Sequence, residues 1–434
     1  MSNKIDYDQN KRVCALAWTH LHITTTGKVA PCGQYVNAKL PDVKLENIMD
    51  KSLDDCVNSS GMKYIRSSML KNEPNKMCAL CEYKMENGIE STKDRFNELY
   101  LEKTKDLIEL TNPDGSIDME NFKPTFFDVR FGNLCNLRCR MCNWEASSAW
   151  YDETKEINKQ NDISFDAIQL DETTPKFIAN GAYDKIEHLL GYAEKMYFAG
   201  GEPLLMEDHY KALSYLINAG KAKDVELHYS TNYTISKYKH TLLADYWKHF
   251  KQVVVAGSVD GIEEVSDYIR TGSSWEKMKQ VVSDLKPHGD EYSNIVLSPC
   301  FSVSLMNIYH APRFFKWCFE NGWLEKNLSV IAINYVDYPP DLSIRMLPPS
   351  AKVEIEMLFV ELTGWLIKHG HPDSVDMINQ IVTFMNGNPP DQDELDMRMN
   401  QAVNRLDTYD KTSNLNWKIT LPELANALKE YIRE

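Results

Sequence analysis

No uninterrupted apolar run in this 434-residue chain approaches the ~20 residues that cross a bilayer. The amino-terminal stretch Met1 to Asn10 lacks an apolar signal segment, so the expected location is cytoplasmic, with no membrane partner. Basic charge is scarce as well. A net charge of −15, with no stripe of lysine and arginine, argues against a nucleic-acid backbone as partner. Ten cysteines are too few for a disulfide scaffold, and seven of them fall in two clusters better suited to metal. The remaining three, Cys56, Cys300 and Cys318, have no ligand spacing and read as small buried hydrophobes, although Cys300 could face a barrel interior and donate a hydrogen atom.

What is present centres on Cys135, Cys139 and Cys142, in the run Phe131-Gly-Asn-Leu-Cys-Asn-Leu-Arg-Cys-Arg-Met-Cys-Asn143 after an apolar strand-like stretch. A [4Fe–4S] cube normally takes four thiolates, so three leave one iron open. A zinc knuckle with a distant fourth ligand is the alternative. The spacing Cys-x3-Cys-x2-Cys resembles the signature of the radical S-adenosylmethionine (SAM) enzymes. That resemblance implies that SAM chelates the open iron and is cleaved reductively to a carbon radical.

Further residues agree. Tyr197-Phe-Ala-Gly-Gly-Glu-Pro203 is an apolar strand ending in two glycines and a carboxylate. Glycines let backbone approach a ligand, and the carboxylate suits an ammonium group. Gly200, Gly201 and Glu202 are similar to the family's second motif, which holds the SAM amino group. Gln252 to Gly261 reads as a buried parallel strand with Ser258 and Asp260 at its end. By the same resemblance, Ser258 and Arg270 hold polar parts of SAM, Arg270 its carboxylate through paired hydrogen bonds. Ser230 and Asn232, closing the strand before, are placed to reach the ribose.

A second pattern occupies the first hundred residues: Cys14, twelve residues, Gly27, four residues and Cys32, then Cys78-Ala-Leu-Cys81. Trp18 to Thr26 is rich in β-formers, Gly27 turns the chain and Val29 to Cys32 returns, a hairpin that brings Cys14 near Cys32. His20 and His22 share one face of it as packing or hydrogen-bonded residues. Four thiolates complete a cluster's shell, or bind zinc tetrahedrally. The pattern resembles the auxiliary-cluster modules called SPASM and, shortened, twitch; the shorter form fits these four cysteines. Here the module precedes the barrel.

From Phe126 to Tyr338 short apolar strands alternate with helical stretches, the pattern of parallel sheets with right-handed crossovers. Six strands are expected, near Phe126 to Gly132, Lys195 to Ala199, Val225 to Ser230, Gln252 to Val259, Ile295 to Val303 and Leu328 to Val336. The motifs recur at strand C-terminal ends, where barrel enzymes place their sites. The expected fold is α/β, a partial (β/α)6 radical SAM barrel over residues 120–340. A small iron–sulfur module over 1–105 precedes it and a helical region over 341–434 follows. In that last region 351–369, 374–385 and 421–432 have helical spacing, while Asp391 to Asp396 reads as a solvated face. Trp144 to Lys185 is longer than a crossover helix needs and suggests an inserted loop or lid.

The function expected from the resemblance is reductive cleavage of SAM at one [4Fe–4S] cluster to a 5′-deoxyadenosyl radical. The radical would modify a peptide or small-molecule substrate, assisted by a second, auxiliary [4Fe–4S] cluster. A reductant such as flavodoxin or ferredoxin is the implied partner. The competing class is an iron–sulfur electron carrier or metal-stabilised binding protein without radical chemistry, which needs no pocket built from Gly200, Gly201, Glu202, Ser258 and Arg270.

Overall fold

Short runs of β-branched and aromatic residues become the strands that carry both cysteine groups. In the computed structural model, which describes residues 5–7, 9–86, 90–285, 289–323 and 332–432, the fold is α/β. The strands that frame the site are β1 (His20–Ile23), β2 (Val29–Ala30), β3 (Phe126–Val129), β4 (Lys195–Phe198) and β5 (Glu226–Thr231). They are followed by β6 (Gln252–Ser258), β7 (Ile295–Val303) and β8 (Ala332–Tyr335). Two compact units arise. Met1–Leu134, Phe177–Ser230 and Asp245–Val253 form the first, and Cys135–Lys176, Thr231–Ala244 and Val254–Glu434 the second.

In the first unit β1 turns antiparallel onto β2, with Ile23 opposite Val29. Gly27 makes the turn at φ +84°, where a Cβ would meet Asn47 Oδ1 at 2.5 Å. On its other edge β1 pairs in parallel with β3, β3 with β4, and β4 with β5, so the amino-terminal hairpin extends the parallel row. Alternation then sorts the faces. Leu21, Phe127, Met196 and Leu227 share one buried apolar row, while His22, Asp128, Tyr197 and His228 share a polar row on the opposite face.

The strand expected from Trp18 begins only at His20, because Leu16–Thr19 is a helical turn. Trp18 is wholly buried in an apolar cluster with Val13, Ile65, Met69 and Ile108, and its indole N–H donates to Thr111 Oγ1 at 2.8 Å. That anchorage overrides the β preference of the segment.

In the second unit β7 pairs in parallel with β8, Cys300 opposite Ala332. The strand expected near Leu328 to Val336 lies partly outside the described residues; its described part is β8. Helices follow at Pro349–Lys368, Val375–Asn386 and Gln392–Ser413. The third of these begins with the acidic stretch, whose Asp391, Asp393 and Glu394 are exposed as the expected solvated face. Asp391 is its N-cap, accepting from the Glu394 N–H at 2.9 Å, and Leu395, Met399, Ala402, Val403 and Leu406 bury its inner side. The helical stretch expected over 421–432 is shorter, Pro422–Ala427.

Candidate active site

The three-cysteine loop belongs to the second unit. It has no regular secondary structure, and its shape comes from hydrogen bonds to a neighbouring segment. The N–H groups of Arg138 and Arg140 donate to Thr271 O and Ile269 O at 2.8 and 2.9 Å. Arg270, between those two carbonyls, thereby comes to the loop: its Nη1 lies 3.4 Å from Cys139 Sγ and its Nη2 2.5 Å from Asp260 Oδ2. Burial opposes the guanidinium charge, but Asp260 and Cys139 outweigh it and raise the Arg270 pKa. Asp260 is wholly buried, and its Oδ1 accepts from the Ser302 N–H at 2.7 Å.

The other two thiols are also framed by polar groups. Cys135 Sγ accepts from the Leu137 N–H at 3.5 Å and faces Asn232 Nδ2 at 3.9 Å. Asn232 is tied into the loop itself, donating to Asn136 Oδ1 at 2.9 Å and accepting from Thr234. Burial, then Cys139 and Cys135, pushes the Cys142 thiol up to about 12. Neighbouring thiols that raise one another's pKa fit a cationic cluster, which would hold them as thiolates. Ser258 is half-buried at the end of β6.

Gly200, Gly201, Glu202 and Ser230 lie in the first unit. Gly201 has φ +58°, and a Cβ there would stand 2.4 Å from Leu134 O, so only glycine lets this turn approach Leu134. The Glu202 N–H donates to that same carbonyl at 2.8 Å. Its side chain is wholly buried, with Oε1 accepting from the Leu204 N–H at 3.1 Å. Ser230 Oγ is 2.7 Å from the Tyr197 hydroxyl, on the polar face of the strand row.

Cys14, Cys32, Cys78 and Cys81 line one cavity in the first unit, with Arg12, Tyr35, Met69, Met77 and Lys93. Cys14 precedes the buried helical turn, Cys32 follows β2, and Cys78 and Cys81 lie three residues apart at a helix start. Burial, then Cys32, raises the Cys14 pKa to about 12. Burial brings Cys32 to about 11, and burial with its three companion cysteines raises Cys78. Among the described residues no three His, Cys, Asp or Glu side chains converge on one metal ion; the four thiols are spread around the cavity wall. That donor set fits an iron–sulfur cluster.

His22 is hydrogen-bonded as its place on the hairpin face suggests, whereas Asp128, Gly33, Tyr233 and Gly257 had no role assigned from sequence. His22 Nδ1 is 2.8 Å from Asp128 Oδ2, and a Cβ on Gly33, beside Cys32, would come within 3.6 Å of that same oxygen. Tyr233, at φ +52°, lies so close under β6 that a Cβ on Gly257 would meet its ring at 1.7 Å. Its hydroxyl donates to Val255 O at 2.8 Å. The only sequence signal was a glycine inside an apolar strand, which marks close approach.

Comparison with known proteins places the two cysteine groups in two separate family matches. Residues 129–301 match the Radical SAM superfamily, and residues 14–82 match the SPASM iron–sulfur cluster-binding domain. No curated protein matches the chain. Among solved structures, native anSMEcpe with bound AdoMet is 17% identical at a TM-score of 0.32, over 48% of this chain and 50% of that one. The chain thus spans about half the length of that neighbour. Native anSMEcpe with bound AdoMet and Cp18Cys peptide is 16% identical, at a TM-score of 0.35 over 56% and 61%. Streptococcus suis SuiB bound to precursor peptide SuiA is 12% identical, at a TM-score of 0.36 over 71% and 64%. With a three-thiol loop inside the first matched region and a four-thiol cavity inside the second, the chain carries a SPASM iron–sulfur cluster-binding domain that precedes a radical SAM domain.

Proposed function

We propose that this enzyme modifies a peptide or protein substrate, with Cys135, Cys139 and Cys142 holding the SAM-binding [4Fe–4S] cluster and Cys14, Cys32, Cys78 and Cys81 an auxiliary one. The observation that carries the reading is the contrast in donor number: three thiols with Arg270 at one of them, against four thiols around one cavity. When bound, a cluster with one iron open to SAM supplies the electron that cleaves it to a 5′-deoxyadenosyl radical. The chain's part is to hold and orient. Glu202, buried beside the Gly200-Gly201 turn, accepts hydrogen bonds from the SAM ammonium. Ser258 and Ser230 meet its polar parts. Arg270, neutralised by Asp260, steadies Cys139 and offers its remaining donors to the SAM carboxylate. Asn232 shapes the loop through Asn136 and presents its edge toward the ribose.

The domain reading runs 1–105 for the auxiliary module, 120–340 for the barrel and 341–434 for the helical region. No helix among the described residues is long and apolar enough to cross a membrane. A cytoplasmic location is part of the proposal, with flavodoxin or ferredoxin as reductant. A net charge of −15 suits a basic peptide. Anaerobic incubation of the reconstituted enzyme with SAM, dithionite and candidate basic peptides tests this. Deoxyadenosine and a mass-shifted peptide are expected; deoxyadenosine with no altered peptide, but an altered metabolite in cell extract, would redirect the substrate class.

A further inference from the structure

Two arginines flank Cys139, and both side chains run to groups outside the cysteine motif. Arg138 Nη1 pairs with Glu153 Oε2 at 2.8 Å, and Glu153 Oε1 accepts from the Thr412 hydroxyl. Arg140 is 1% exposed; its Nη2 lies 2.7 Å from Ser413 Oγ and 3.3 Å from Asp410 Oδ1. Asp410 also accepts from the Tyr268 hydroxyl at 3.0 Å and from the Trp417 N–H. The Arg140 guanidinium sits over the Tyr268 and Tyr409 rings, 4.8 and 5.7 Å from their centroids. A third tie reaches the cysteine itself. Trp150 donates its indole N–H to Cys139 O at 3.3 Å and packs on Tyr409 at 4.7 Å between centroids. All of these contacts lie in the second unit.

Tyr409, Asp410, Thr412 and Ser413 occupy the last turns of helix Gln392–Ser413, beyond the stretch 129–301 that matches the radical SAM family. Burying two ion pairs adds little net stability over apolar residues of the same volume. What such pairs do supply is direction, because a guanidinium fixed by carboxylates holds its own backbone in one orientation. We infer that the end of this helix positions the cysteine loop, with Arg138, Arg140, Glu153 and Asp410 acting as positioning residues that set how Cys139 meets its cluster. The inference rests on the reading of Cys135, Cys139 and Cys142 as cluster ligands.

The test uses reconstituted holoenzyme in four forms: wild type, Asp410→Asn, Thr412→Val and Arg140→Lys. Iron per chain, the unfolding midpoint, the EPR spectrum of the reduced clusters with and without SAM, and kcat and KM for uncoupled SAM cleavage are read together. Asp410→Asn should keep its iron and its fold, shift the EPR spectrum, and lower kcat roughly ten- to hundredfold, the scale of a small misplacement at a reacting centre. KM for SAM should hardly move. Arg140→Lys, which keeps the charge opposite Asp410, should lower kcat less than Asp410→Asn does. Thr412→Val, which removes one hydrogen bond and no charge, should show the same changes more weakly and decides the matter if Asp410→Asn fails to fold. Wild-type spectra and kcat in the folded variants would overturn the positioning role while leaving the ligands in place. An undiminished iron content of about eight per chain, with the SAM-dependent EPR change intact after replacement of all three cysteines by Ala, would overturn the ligand assignment itself.

Discussion

The two cysteine sites solve different problems with the same side chain. Around Cys14, Cys32, Cys78 and Cys81 the wall is mostly apolar, and the thiols raise one another's pKa. Around Cys135, Cys139 and Cys142 the partners are polar: a guanidinium on one sulfur, an amide near another, and a loop tied down by backbone and ion-pair contacts. Four thiols close a cluster's shell and need only a dry container. As ligands of such a cluster, three thiols would leave one iron open, and their surroundings would have to orient a ligand as well as hold a metal.

Removing each site in turn should break that contrast most sharply. Replacing Cys135, Cys139 and Cys142 together by Ala should abolish deoxyadenosine formation and leave about four irons of about eight, the loss of one [4Fe–4S] unit. Persistent SAM cleavage in this variant would remove the catalytic role of the loop. The double variant Cys78→Ala, Cys81→Ala should likewise fall to about four irons, yet keep SAM cleavage and lose substrate turnover. Normal product yield, or zinc in place of the missing iron, would defeat the auxiliary-cluster reading and spare the catalytic one.

A smaller effect is expected at Glu202, the proposed partner of the SAM ammonium. Glu202→Gln keeps an acceptor for the Leu204 N–H and removes only the charge. One charge-assisted hydrogen bond is worth about 1.5–3 kcal/mol. SAM affinity should therefore weaken roughly ten- to hundredfold by calorimetry. An unchanged Kd would reduce Glu202 to the cap of the turn at Pro203.

The mildest contrast is in pH response. Burial lowers the pKa of His20 to about 4, of His209 to about 3 and of His228 to about 4 in the first unit, whereas among the described second-unit residues only the half-buried His310 is lowered, to about 4. Each of these rings is neutral when folded and takes a proton near pH 6.5 when unfolded. Below pH 6.5 the unfolded chain binds more protons, so stability is full above that value and falls as pH drops toward 4. The slope is at most about 1.4 kcal/mol per pH unit for each ring. Hydrogen exchange at pH 5 should show first-unit amides losing more protection than second-unit amides; equal loss would mean that the rings are charged in the folded chain.

Much of this was legible before any coordinates. Five expected strands lie within two or three residues of β3 to β7, because a buried parallel strand writes a continuous apolar run. The helices at Pro349–Lys368 and Val375–Asn386 follow their apolar spacing. Gln392–Ser413 was not anticipated as a helix because its mean composition is polar; its acidic start, read as a solvated face, is exposed and forms the helix cap and first turn. Trp18 was misplaced because local β preference cannot register the cluster of Val13, Ile65 and Ile108 that buries it.

Sequence alone determined the chemistry: thiol number and spacing, the Gly-Gly-Glu turn and the alternation of strand and helix all follow from short-range order along the chain. Tertiary structure decided what each group meets. The pairing of β1 with β3 and the ion pair of Asp260 with Arg270 join segments with no shared period. The contact of Arg140 with Asp410 spans 270 positions. Such contacts exist because a buried charge must find a partner wherever the fold brings one, and that need leaves no periodic trace in the order of residues.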